Sequence, residues 1–158
     1  MKKGIITAAI LSVLLIGCKD NKTSNTETSG EIEMTHDHNT AHVLNNSWVD
    51  EIQLDNGNLW EANSETNEGV EKMLDLTKSR NLQTVEDYHG LSKDLNEVKN
   101  YVVRECTMKG PSHDNLHVFL HPLIDKIDAL GKVSSAKEGQ RTTEAIQENL
   151  ELYQKYFK

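Results

Sequence analysis

Apolar residues recur every three or four positions along most of the chain beyond residue 63, and this spacing predicts amphipathic helices. The clearest stripe consists of Tyr88, Leu91, Leu95, Val98 and Val102. Four helices are predicted, over about 64–80, 84–107, 113–130 and 136–157. Because short connections between long amphipathic helices favour antiparallel neighbours, the predicted fold class is all-α, an antiparallel up-down four-helix bundle over residues 63–158.

The segment before these helices has a different pattern. Residues 48–54 alternate roughly between apolar and polar, and Asn56-Gly57 follows them. Asn-Gly is the favoured dipeptide of a two-residue hairpin turn, because both of its central residues need positive φ. A short N-terminal β-hairpin is therefore predicted over residues 45–62, with Trp48 and Trp60 covering one end of the core.

Helix boundaries are predicted from residues that start or stop helices. Gly110-Pro111 indicates a turn, after which Ser112 is the predicted cap of the third helix. Pro122 lies inside that helix and predicts a kink. For the fourth helix, Ser135 with Glu138 forms a capping-box pattern.

The N-terminus has the features of a signal peptide over residues 1–17. Lys2 and Lys3 precede an apolar stretch that is too short to span a membrane. The sequence then reads Leu-Ile-Gly up to Cys18, which resembles the lipobox of bacterial lipoproteins. The resemblance implies cleavage before Cys18, attachment of lipid to its thiol, and anchoring to a membrane of the cell envelope, on either the periplasmic or the surface face. An ordinary secretory signal with an incidental cysteine is the alternative.

Residues 18–44 are polar and without periodicity, which predicts a flexible tether. The tether contains His36, His38 and His42, and histidine-rich segments of this kind can capture metal ions. A polar spacer that happens to contain histidine is the alternative interpretation.

The chain carries 17 basic and 25 acidic residues, for a net charge of -8. Such a charge repels nucleic acid and attracts cations. If Cys18 is lipidated, Cys106 is the single remaining thiol, which in an oxidising compartment is buried, bound to metal or paired with another chain.

The strongest chemical signal is a group of sulfur and imidazole side chains around the second interhelical connection. Cys106 and Met108 precede His113 and His117, and antiparallel packing is expected to bring all four together. Residues four apart on a helix are neighbours, so His113 and His117 can share one ion. Thiolate and thioether favour Cu(I), whereas cysteine with two histidines suits Zn(II). On the helical wheel His121 lies far from the apolar face and is expected to be exposed.

Each of these side chains also has a structural interpretation. His113 can simply occupy a helix start, Cys106 can be an inert core residue, and Met108 can pack over the bundle end. A nucleophilic pair of Cys106 with His113 or His117 has no accompanying oxyanion hole in the sequence, so an enzyme is not predicted.

The run from Cys106 to Pro122 resembles that of small helical lipoproteins of bacterial envelopes, often uncharacterised and sometimes associated with heavy-metal handling. The predicted function is an envelope lipoprotein that binds or buffers a transition metal, copper first and zinc second. The alternative is a non-metal structural or protein-interaction module of the envelope. The protein partner and the oligomeric state are not predicted.

Overall fold

Four helices dominate the part of the chain that the structure, a computed structural model, describes, which is residues 43–158. Their bounds are α1 Ser64–Ser79, α2 Val85–Glu105, α3 Pro111–Leu130 and α4 Ala136–Leu152. The helical fold class and the four helices are confirmed, and residues 43–158 contain no β-strand beyond two isolated bridges. Within this part of the chain, every helix is too short or too polar to cross a membrane.

Several predictions fall on residues 1–42, which lie outside the described part of the chain. They are the signal peptide over 1–17, lipidation of Cys18, most of the tether over 18–44, and the metal-capturing side chains His36, His38 and His42.

The starts of α2 and α4 are stabilised by side chains that bind free backbone N–H groups. The Thr84 hydroxyl accepts a hydrogen bond from the Asp87 amide, and the Asp87 carboxylate accepts one from the Thr84 amide, which completes a capping box. At α4 the Ser135 hydroxyl accepts from the Glu138 amide as predicted. The Glu138 carboxylate, however, accepts from the Ser134 amide, one residue earlier than a standard box.

The third helix starts two residues earlier than the sequence predicted. Its N-cap is Gly110, with φ of 64°, and Pro111 occupies the first helical position. Proline suits this position because its fixed φ is already helical and its missing N–H would have had no partner. Ser112 therefore lies inside the first turn and is not the cap. The helix continues through Pro122.

Two helices end earlier than predicted. α2 stops at Glu105, and Cys106 is extended with ψ of 119°. α4 stops at Leu152 and is followed by a single 3-10 turn, Tyr153–Lys155. The reason for the second early end is a tertiary contact: the Trp60 amide donates to the Tyr156 carbonyl at 2.8 Å, and the Lys158 amide donates to the Trp60 carbonyl at 3.0 Å.

The same contact involves the segment that was predicted to form a hairpin, residues 45–62. The Asn56-Gly57 turn forms, with positive φ at both residues and two hydrogen bonds between Asp55 and Asn58. Ser47–Asp50 instead form a 3-10 turn, and the residue expected in the second arm, Trp60, forms its parallel bridge with Phe157.

Contacts between successive helices pair the end of one with the start of the next, as in an antiparallel bundle. For α1 and α2, the Asn63 amide group donates to the Glu105 carbonyl, and Arg80 pairs with Asp94. For α2 and α3, the Ser92 hydroxyl donates to the Ile127 carbonyl at 2.8 Å. The core between the helices is mostly aliphatic.

One lysine lies fully inside this core. Lys126 is on α3 and has no exposed surface. Its ammonium donates to Asn46 Oδ1 at 2.8 Å and to Asn149 Oδ1 at 2.6 Å. Burial lowers the Lys126 pKa to about 8, partly opposed by the nearby carboxylates Glu148 and Asp125. The ammonium therefore ties the N-terminal segment to both α3 and α4.

Aromatic rings of the N-terminal segment, of α3 and of the residues after α4 pack against one another. Trp48 meets Phe119 edge to face, with ring centroids 5.6 Å apart, and Tyr153 stacks on Phe157 at 4.8 Å. Trp48 is 3% exposed, so it packs as the core residue that the sequence predicted.

Gly69 sets the distance between α1 and α2. A Cβ atom at this position would lie 2.1 Å from a methyl group of Val102, which is too close for any real contact. We expect Gly69→Ala to lower the free energy of unfolding by about 1–3 kcal/mol, because the stiff valine cannot turn away. Urea denaturation would measure the change. Gly90→Ala is the matched control: it lies in α2 with open space around it and should stabilise the protein by up to ~1 kcal/mol. Equal stability of the two variants would contradict the close contact.

The buried ammonium predicts a characteristic pH dependence of stability. The Lys126 pKa is lower in the folded protein than in the unfolded chain, so the unfolded chain binds more protons between about pH 8 and 10. The free energy of unfolding therefore increases by about 2 kcal/mol as pH rises from 8 to 10. This contribution is lost again as pH falls through 8. Denaturation at several pH values should show this rise in the wild type and not in Lys126→Met. Asn149→Asp should also flatten it, because a carboxylate beside the ammonium raises the Lys126 pKa. A wild-type profile parallel to that of Lys126→Met would contradict the assignment.

Candidate metal site

Three imidazoles form a continuous row along the outer side of α3. His117 Nε2 lies 3.3 Å from His113 Nε2, and His117 Nδ1 lies 3.1 Å from His121 Nε2. The spacing of four residues produces these contacts, because such positions are adjacent on a helix surface. The rings meet edge to face, with centroids 4.5 Å and 5.1 Å apart.

His117 is the centre of the row because both of its ring nitrogens face another imidazole. In a neutral imidazole one nitrogen donates and the other accepts. A neutral His117 can thus donate to one neighbour and accept from the other, and the direction follows from the tautomers. The lone pair with which an imidazole in this row accepts a hydrogen bond is also the one with which it would bind a metal ion.

One side of this row borders a small cavity that also contains the cysteine. The cavity has a volume of about 60 Å³ and is lined by Cys106, His113 and His117, together with apolar side chains of α2 and α3. Two local features bring the thiol here. α2 ends at Glu105, so Cys106 leads into the turn, and the positive φ of Gly110 reverses the chain so that α3 starts beside it. Three of the four predicted ligands therefore border one cavity.

Met108 is the exception among the predicted ligands. Its side chain is partly buried and packs against the hydrophobic core, and it does not line the cavity that contains Cys106. Met108 lies in the connection between α2 and α3, as predicted, but there its side chain packs against the core.

The electrostatics of the row favour a neutral central imidazole. The pKa of His117 is lowered, first by burial of part of its ring and then by the positive charges of His113 and His121, while Asp114 acts in the opposite direction. A metal ligand must be unprotonated, so a lowered pKa keeps the His117 lone pair available at neutral pH. Near the thiol, burial raises the pKa of Tyr153, and the charge of a Cys106 thiolate adds to the increase.

The separations between nitrogens fit the edge of a metal site. Two nitrogens bound to zinc at ~2.0–2.1 Å with a tetrahedral angle are about 3.3 Å apart. The His113–His117 separation of 3.3 Å matches this value, and the His117–His121 separation of 3.1 Å is close to it. Within residues 43–158, however, no three His, Cys, Asp or Glu side chains are placed together as a group that could hold a metal ion. The described residues thus present pairs of donors, and a complete site needs a further ligand.

His121 is the member of the row that the sequence analysis left out. It is exposed, as expected from the helical wheel, yet it contacts His117 directly. The signal was present in the sequence: His121 lies four residues after His117, the same spacing that was used to pair His113 with His117.

Comparison of the chain with protein families, with curated proteins and with solved structures finds no match. The resemblance to small envelope lipoproteins therefore stays a prediction from the sequence, and the case for a function depends on the side chains themselves.

The lowered pKa of His117 can be measured directly. We expect its ring protons to titrate below the ordinary histidine value of 6.5 in an NMR pH titration. His117 then contributes stability that is present above pH 6.5. This stability is lost as pH falls through the pKa that His117 has in the folded protein, which is below 6.5. His121→Ala removes one of the positive neighbours, so it should raise the His117 pKa. A His117 pKa at or above 6.5 in the wild type would contradict this account.

Proposed function

We propose that this protein is an envelope lipoprotein that binds or buffers a transition metal, with copper as the first candidate and zinc as the second. The metal would be held by Cys106, His113 and His117 at the turn between α2 and α3. Met108 was predicted as a fourth ligand, and it is the least supported of the four because it does not line the cavity that the other three border.

The observation that carries the proposal is the 3.3 Å separation between the His113 and His117 Nε2 atoms beside a cavity that Cys106 also lines. Two imidazoles with a thiolate are a donor set for both Cu(I) and Zn(II). Because no three such donors are placed together within residues 43–158, binding would require the Cys106 side chain to move towards the two imidazoles. Binding would require loss of the thiol proton, which the metal itself promotes.

The surroundings of the site also favour a cation. Asp114 lies on the first turn of α3 between the two histidines, and the chain as a whole has a net charge of -8. Negative charge near a site raises the local concentration of cations. The lipid anchor at Cys18 and the histidines His36, His38 and His42 of the tether complete the proposal: the tether would collect ions and the bundle would hold them.

The alternative proposal is a structural or protein-interaction module without a metal. It is supported by the exposed apolar side chains Val103 and Leu54, which are 54% and 41% exposed. Single exposed apolar residues are common on protein surfaces, so this support is weaker than the donor geometry. We propose no catalytic activity for the Cys106–His113 pair.

Metal binding to the native state should raise thermal stability. The mature chain with Cys18→Ser, reduced and free of metal, is titrated with Cu(I) and separately with Zn(II), while the melting temperature is followed. Free metal at a hundredfold excess over Kd adds about 2.7 kcal/mol to the free energy of unfolding. We expect a clear increase in Tm with at least one ion, and loss of most of the Cu(I) effect in Cys106→Ser and in His113→Ala.

The control is Met108→Leu, which keeps the packing and removes the thioether. Little change in Cu(I) binding would agree with the position of Met108 outside the cavity that Cys106 borders. If neither ion raises Tm, or if the Cu(I) effect is the same in Cys106→Ser, the metal proposal is wrong and the interaction module is favoured.

A further inference from the structure

A groove of about 540 Å³ lies between α1 and α2, and residues of these two helices alone line it. Its floor is apolar and consists of the buried residues Gly69 and Val98 with the partly buried Leu76. We call it the α1–α2 groove. No cysteine or histidine borders it, so it is separate from the proposed metal site.

The rim of the α1–α2 groove is mainly acidic. Glu68 on α1 and Glu97 on α2 are both exposed there, and neither forms an ion pair with another described residue. Asp94 also borders the groove, but it already pairs with Arg80. Lys72 is the single basic residue of the lining. The groove therefore has a net negative charge and offers two carboxylates to an incoming cation.

Tyr101, which lines one end of the groove, responds to this negative charge. Its pKa is raised, first by burial and then by the carboxylates of Glu68, Glu65 and Glu105, while the positive charge of Arg104 acts in the opposite direction. The central guanidinium carbon of Arg104 lies 5.7 Å from the centre of the Tyr101 ring. Aromatic rings beside carboxylates attract planar cations of this kind. An arginine of the chain itself thus already occupies the surroundings of this ring.

We propose that the α1–α2 groove binds an arginine-bearing basic segment of a partner protein. The guanidinium groups would pair with the carboxylates of Glu68 and Glu97, and their methylene groups would cover the apolar floor. Arginine suits the groove better than lysine because its planar group forms two parallel hydrogen bonds with a carboxylate and stacks on an aromatic ring such as Tyr101.

Charge also decides against other occupants. A second copy of this chain carries a net charge of -8 and is repelled by an acidic groove. A small organic cation would neutralise one carboxylate, whereas acidic residues stand on both helices and continue beyond the lining at Glu65 and Glu105. A segment with several basic side chains contacts more of them. The inference goes beyond the proposed metal function and does not rest on it.

The test uses the mature chain with Cys18→Ser, free of metal, and a short blocked helical peptide that carries two arginines one turn apart among apolar residues. Binding is followed by NMR at ~0.15 M salt. We expect the amide signals of Gly69, Val98 and Tyr101 to shift. Glu68→Gln and Glu97→Gln should each weaken binding by about two- to fivefold, as for the loss of one exposed ion pair. The double variant should lose about tenfold, because such effects add.

Two matched controls make the result specific. Glu144→Gln removes the same charge from an exposed position on α4 and should change the affinity by less than about 1.5-fold, because salt screens distant charges. A peptide with citrulline, which has the shape of arginine without its charge, should bind at least about fivefold more weakly.

The inference is overturned if the arginine peptide does not bind, if the citrulline peptide binds equally well, or if Glu144→Gln weakens binding as much as Glu68→Gln. Arginine amide that binds as tightly as the peptide would also overturn it, in favour of a site for a small organic cation. Neither Glu68 nor Glu97 is a proposed metal ligand, so the Cu(I) and Zn(II) titrations can fail or succeed independently of this result.

Discussion

The arrangement of this protein depends on one buried charge. The Lys126 ammonium has no exposed surface and can be accommodated only because Asn46 and Asn149 each supply an amide oxygen to it. The two partners come from opposite ends of the described chain, so this single group joins the N-terminal segment, α3 and α4. Asn149 Nδ2 is buried without a partner, a further cost of the arrangement. The result is that the N-terminal segment is held beside α3, and the two border an open cavity next to His117 and His121.

The other fixed point is the turn between α2 and α3. Its geometry depends on Gly110, whose positive φ few other residues adopt at low cost, and on Pro111, which starts the next helix. Together they place the start of α3 against the end of α2. The consequence for chemistry is that Cys106 borders the same cavity as His113 and His117. The turn is therefore a structural feature and the basis of the proposed site at the same time.

The histidine row has two chemically different sides. On one side, Cys106 and apolar side chains border a cavity of about 60 Å³, and on the other Glu51 and Asp125 border one of about 460 Å³. Sulfur and carboxylate groups are thus separated by the ring of His117, whose two nitrogens face His113 and His121.

The sequence by itself determined the number of helices, their approximate bounds and the contact between His113 and His117, because these depend on periodicity and local spacing, which are readable along the chain. It did not determine where helices end when the end depends on a distant partner. α4 stops at Leu152 because Tyr156 and Lys158, which follow it, pair with Trp60 near the other end of the described chain. α2 stops before Cys106, and Met108 in the connection packs against the core. It also did not place Lys126 inside, although its position between Leu123 and Leu130 on the apolar stripe was a signal. Only the tertiary structure decided these features, since a buried charge or a long-range backbone pair is stable only when groups far apart in the sequence meet.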